Sequence, residues 1–120
     1  MSSSNPLRKH TTDTQVDRIW KVNNLLRLLD EDITPIAVSC LLYVMSHDGC
    51  HKQAMEMSVG LSTASGSRNT DFLSATHRLG KPGLGLITKE LDPSNRRRQI
   101  LSLTDKGRRL SEQLKSILYE

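Results

Sequence analysis

The stretch GLSTASGSRN, residues 60–69, decides how this 120-residue chain is read. Gly60 permits the positive φ of a tight turn. Leu61 anchors the turn, and Ser62 is a strong N-cap for a helix from Thr63 to about Ser74. Just upstream, Lys52 to Ser58 reads as a short helix with Ala54, Met55 and Val59 inward. A helix, a glycine turn and a Ser-capped helix follow the order of a helix-turn-helix.

Toward the C-terminus, Leu84–Leu91 and Arg98–Leu103 alternate as strands do. Between them Asp92-Pro93-Ser94-Asn95 is a turn signal, followed by Arg96-Arg97-Arg98. Together they predict a hairpin with a charged tip. Thr104 caps a last helix to about Tyr119, with Leu110, Leu114, Ile117 and Leu118 on one face. Toward the N-terminus, Thr34-Pro35 is a clean helix start, a cap followed by a proline whose missing N–H costs nothing there. The helix it opens is apolar nearly all round from Ile36 to Met45, which predicts a central position. Gln15 to Leu29 carries a broad apolar stripe at helical spacing. Residues 1–14 show no periodicity and read as a flexible tail, leaving 15–120 as one domain. The fold class expected is mainly α (α+β), a winged helix-turn-helix flanked by helices.

Composition narrows the function. Apolar residues are 36% and aromatic residues 3% of the chain, which predicts a thin core that a second copy would complete. The net charge of +4 is uneven: residues 62–109 hold ten Lys and Arg against four acids, and the remainder is weakly acidic. The basic half is the one that would face an anionic partner. No window approaches a membrane span, and MSSSNPLRKHTTDT has no signal-peptide core, so a cytoplasmic location is expected. Cys40 and Cys50 are too few for a disulfide scaffold. Gly80–Gly85 is glycine-rich without the ending of a phosphate-binding loop. No catalytic constellation assembles, so no enzyme activity is expected, and no cofactor or metal either. His47, Cys50 and His51 lack a fourth ligand and a recognised spacing.

From Thr34 to Leu114 the chain resembles winged-helix regulators of the multiple antibiotic resistance regulator (MarR) family. Gly60-Leu61-Ser62-x-x-Ser65-x-Ser67-Arg68 is similar to the family's turn and recognition helix. Asp92-Pro93-Ser94-Asn95-Arg96-Arg97 and Leu103-Thr104-x-Lys106-Gly107 are similar to its wing and wing exit. The resemblance implies a homodimeric, sequence-specific transcriptional regulator that binds double-stranded DNA at a pseudo-palindromic operator, a repressor by preference, with small aromatic or phenolic effectors bound between dimer helices and DNA-binding lobe. Trp20 and Tyr43 are candidates to line such a pocket, and core packing explains them as well. The family carries Asp at the Asn95 position, where it braces the arginine at the Arg97 position. Asparagine offers only hydrogen bonds, which predicts a looser wing. The connection Ala75–Gly85 is longer than the family's, and its Arg78 and Lys81 are candidates for backbone contacts. The first and last helices would carry the dimer.

These residues suit the chemistry of DNA reading. A helix fits the major groove, where base edges show a distinct donor and acceptor pattern. Ser62, Thr63, Ser65, Ser67, Arg68 and Asn69 supply short polar groups and longer donors. Arg68 suits guanine, Asn69 suits adenine, and the helix N-terminus suits phosphate. Ala64 and Gly66 leave room for close approach. At the wing, Arg97 would enter the minor groove, with Arg96 and Arg98 on phosphates beside Asn95. Two competing readings stand beside these. Arg68 lies three residues from Asp71, the spacing of an intrahelical ion pair. A winged helix can also serve as a protein-interaction module docking on transcription or replication machinery.

Overall fold

The computed structural model describes residues 11–75 and 80–120. Helix α1 spans Thr14–Leu29 and starts one residue before the apolar spacing does, because Asp13 is its N-cap: the carboxylate accepts from the N–H groups of Gln15 and Val16. Helix α2 (Pro35–Ser46) opens as its sequence dictates, with Thr34 Oγ1 accepting from Ala37 N at 3.1 Å. It supplies the centre of the core through Ala37, Cys40, Leu41 and Val44, all at most 1% exposed. Its outer face is open, since Ile36 and Leu42 remain partly in solvent.

A two-residue strand follows, β1 (Cys50–His51), which the alternation pattern does not show. Two residues are too few to display a period. Gly49, at φ 86°, turns the chain into it, and Gly49 N donates to Leu101 O. Helix α3 (Lys52–Val59) ends on Gly60 in the left-handed region, as the turn requires. Helix α4 (Thr63–Leu73) is capped by Ser62, whose Oγ accepts from Ser65 N at 3.1 Å.

Strands β2 (Ile87–Asp92) and β3 (Asn95–Leu103) form the wing, and the sheet order is β1-β3-β2, all antiparallel. Two strand limits differ from the sequence reading. Leu84–Leu86 are not strand, because their N–H groups are taken by the end of α4: Leu84 N donates to Phe72 O, Gly85 N to Ser74 O and Leu86 N to Leu73 O. Pro93 and Ser94 alone make the turn, so Arg96, Arg97 and Arg98 lie within β3 rather than in its tip.

Helix α5 (Asp105–Leu118) leaves the wing through Leu103-Thr104-x-Lys106-Gly107. Each of these residues has a structural task. Thr104 Oγ1 accepts from Gly107 N and donates to Gly85 O, and Lys106 Nζ caps Leu84 O at 2.7 Å. A Cβ on Gly107 would stand 2.1 Å from Leu86 O, so only glycine lets α5 approach. The core joins Leu26 of α1, α2, Met55, Leu73, Leu86 and Ile87, Leu101 and Leu103, and Leu110 and Leu114 of α5. The architecture is a mainly helical winged helix-turn-helix. Helix α1 packs on α5, and Lys21 Nζ meets Glu120 Oε1 at 3.0 Å.

Candidate nucleic-acid interface

Helix α4 buries Gly66, Thr70 and Leu73 on one face, which turns Thr63, Ala64 and Arg68 outward. The intrahelical pair expected of Arg68 does not form, because Asp71 is occupied by Lys89 of β2 at 2.6 Å. Among the described residues no acid pairs with Arg68. Ser65 and Ser67 are half-buried. Asn69 is half-buried too, and its amide turns back to Ser65, donating to the carbonyl at 2.8 Å. Its side of α4 lines a cleft with Asp30, Asp32 and Thr34.

Gly66 leaves room for a different approach from the one expected. It does not face outward. A Cβ there would lie 2.0 Å from Glu56 Oε2, so the glycine admits α3 rather than a groove. Glu56 is paired with Lys52 at 2.5 Å, with both side chains 7% exposed. Lys52 Nζ also reaches Thr63 O. This buried pair therefore sits at the joint of the helix-turn-helix. An i,i+4 spacing is the trace it leaves in the sequence.

The wing arginines Arg96, Arg97 and Arg98 are exposed. A cleft of about 130 Å³ is lined by Gln53, Thr63, Arg97, Arg98 and Gln99 together with the Lys52–Glu56 pair. The start of α4 and the turn-proximal half of β3 thus share one concave surface. Lys81 is exposed, and Arg78 lies outside the described residues.

Asn95 does hydrogen-bond at the wing, but to backbone: Oδ1 accepts from Arg97 N at 3.1 Å. The anionic brace is Asp92, which accepts from His51 Nε2 at 2.8 Å and from Ser94 N and Oγ. The hydrogen bond from His51, followed by those from Ser94, pulls the Asp92 carboxyl down from the ordinary 3.8 to about 2. Forty-one residues separate His51 from Asp92, so no local pattern announces the pair. Lys89 could have been noticed: it stands in register with buried Ile87 on an inward strand position, where a lysine needs a partner.

Not all of the basic half is free charge. Lys89 is paired with Asp71, Arg108 with Asp105, and Lys106 with a carbonyl. The cysteines are quiet. Burial raises the Cys40 thiol to about 11 and raises Cys50 as well, so little reactive thiolate forms at neutral pH. Among the described residues no cluster of His, Cys, Asp or Glu is arranged to hold a metal, and no helix is long and apolar enough to cross a membrane. A cavity of about 610 Å³ is bounded by Met45, Asp48, Leu103, Arg109 and Gln113. Trp20 and Tyr43 do not line it. Trp20 is 47% exposed on α1, and Tyr43 stacks on His47 with ring centroids 4.3 Å apart.

No protein-family model and no curated protein sequence matches the chain. Solved structures do. The PcaV transcriptional regulator from Streptomyces coelicolor is 23% identical with a TM-score of 0.58, over 87% of this chain and 74% of that one. The MepR–DNA complex of S. aureus is 22% identical with a TM-score of 0.65, over 87% and 79%. The transcriptional repressor CouR, known from Rhodococcus jostii RHA1 and solved on a 23-mer DNA duplex, is 25% identical with a TM-score of 0.62, over 88% and 67%. A Rhodococcus regulator assigned to the MarR family, at 22% identity and a TM-score of 0.60, aligns over 87% of this chain and 66% of its own, and MarR itself, at 20% and 0.55, over 87% and 80%. The chain has the winged-helix fold of the MarR-family transcriptional regulators.

Proposed function

We propose that this protein is a DNA-binding transcriptional regulator that grips duplex DNA with α4 and the β2–β3 wing as a homodimer, acting as a repressor. The observation that carries this reading is the shared concave surface on which Thr63, Arg97 and Arg98 meet, with Arg68 exposed on the same helix as Thr63. Exposed guanidinium groups beside a helix N-terminus suit phosphate and base edges. The likeness to MepR and CouR, both solved on DNA, supports it.

Each residue takes a role in this reading. Ser62 and Thr63 at the start of α4 meet a phosphate, and Arg68 reads guanine in the major groove. Ser65 and Ser67 flank it. Asn69 reads adenine only after releasing its bond to Ser65. Arg97 enters the minor groove while Arg96 and Arg98 hold phosphates, and Asn95 shapes the turn that aims them. Lys81 and Arg78 add backbone contacts. The apolar residues left uncovered on α1 and α5 (Val16, Ile19, Trp20 and Leu118, 47–63% exposed) pack across a twofold axis. A small-molecule effector would occupy the 610 Å³ cavity beside α5.

The test is a binding titration on selected duplexes across a salt series. Phosphate contacts make log K fall linearly with log salt, and that slope is the expected result. Binding with no sequence preference and little salt response removes the reading. A partner protein retained after Arg68→Ala and Arg97→Ala would favour a protein-docking module instead.

A further inference from the structure

The inward face of β2 emerges from the core in three steps. Ile87 is 1% exposed, the Lys89 side chain 16%, and Leu91 56%. Lys89 is thus the last residue on that face still held against the helical body. Its ammonium has two anchors on α4: Asp71 Oδ1 at 2.6 Å and Thr70 Oγ1 at 3.0 Å. Thr70 is fully buried, and its hydroxyl donates to Gly66 O at 2.8 Å, leaving oxygen lone pairs for Lys89. Asp71 keeps 22% of its side chain in solvent. A charge-assisted bond with two acceptors on one helix turn fixes direction as well as distance.

We propose that Lys89 is a positioning residue that sets the angle between recognition helix and wing, and with it the spacing at which a duplex must present its two grooves. This rests on the DNA-binding reading above. The lysine falls in the basic half of the chain and would be counted as a phosphate contact from sequence. Its anchoring on Asp71 and Thr70 spends two of its three donors inside the protein. Releasing it leaves the wing beyond Lys89 held by its own turn and by His51–Asp92. A preordered pair of contacts then becomes two that must be ordered on binding.

The experiment compares Lys89→Met, Asp71→Asn and Lys89→Arg with the parent protein on one selected duplex, across a salt series. A clasp makes both Lys89→Met and Asp71→Asn lose about tenfold in affinity for the selected duplex, which is about 1.4 kcal/mol. The salt slope stays unchanged because no phosphate contact is lost, and Lys89→Arg recovers most of the loss. A phosphate contact gives the opposite pattern. Lys89→Met then lowers the slope by about one ion, and Asp71→Asn tightens binding or leaves it alone. That result overturns the proposal. Amide hydrogen exchange on the free proteins decides independently of DNA. Faster exchange over residues 91–98 in both Lys89→Met and Asp71→Asn, with little change in α2, is expected. Unchanged exchange there overturns the clasp even if affinity shifts. If the parent binds no duplex, the DNA-binding reading fails and exchange still judges the clasp.

Discussion

Two surfaces of this molecule are left unsatisfied in opposite ways. Where α1 meets α5, Val16, Ile19, Trp20, Leu118 and Tyr119 stand in solvent, while ion pairs such as Lys21–Glu120 close the rim. Along α4 and the wing the unsatisfied groups are Arg68 and Arg96–Arg98, while most apolar residues point inward, Ala64 and Leu91 excepted. Exposed apolar area costs free energy until another apolar surface covers it. An exposed guanidinium costs nothing in water and gains when an anion arrives. In the proposed function a twin covers the first surface and a polyanion the second. Composition alone merges the two into a low apolar content and a charge of +4.

The largest expected effect tests what the cationic surface stands on. Glu56→Gln leaves Lys52 buried without its counter-charge, and the cost is about 3–5 kcal/mol of folding stability. Denaturant unfolding measures it. The double change Glu56→Leu with Lys52→Met recovers most of the loss, because no lone charge then remains buried. A loss below 1 kcal/mol in the single variant would show that the pair opens to water and does not hold the joint.

Breaking the apolar surface comes next. Trp20→Glu places charge in the proposed twofold contact. Sedimentation is expected to show monomer, and duplex affinity to fall on the order of 100-fold as the two linked half-sites become independent. The folded core keeps its stability because Trp20 lies outside it. An unchanged dimer would place the contact elsewhere.

Removing one cation is smaller. Arg68→Ala is expected to cost about 1–3 kcal/mol at one base position and to relax preference there. Arg96→Ala weakens all duplexes alike and lowers the salt slope by about one. Neither changes the sedimentation of the free protein. That independence separates the two surfaces.

The smallest effect concerns the turn end of the wing. The Asp92 carboxyl is held low by His51 and Ser94. A depressed carboxyl contributes its stabilisation above its ordinary pKa and loses it as pH falls through the lowered one. The brace is therefore intact at pH 5 and is lost between about 4 and 2. The Ser94 amide resonance is expected to titrate in that window, and Asp92→Asn is expected to abolish the titration.

The sequence made legible whatever depends on neighbours along the chain. Thr34, Ser62 and Thr104 cap helices where their positions say they should, and Gly60 adopts the backbone its turn needs. What it concealed depends on partners far away in the chain. The Lys89–Asp71 clasp, the His51–Asp92 brace and the β1–β3 pairing each join residues brought together only by the fold. Long-range demand also moved the start of β2, since the end of α4 claims the N–H groups of Leu84–Leu86. Gly66 shows the same limit: its place in the helix was plain, but only the fold reveals that Glu56 needs the space.

The most direct test is selection of bound duplexes from a random pool, followed by sequencing of those retained. The expected result is an enriched motif of two inverted half-sites about one helical turn apart, with preference relaxed at one position of each half-site when Arg68 is replaced by alanine. A retained pool no different from the input, or a single half-site without symmetry, would contradict a dimer reading DNA through α4 and its wing.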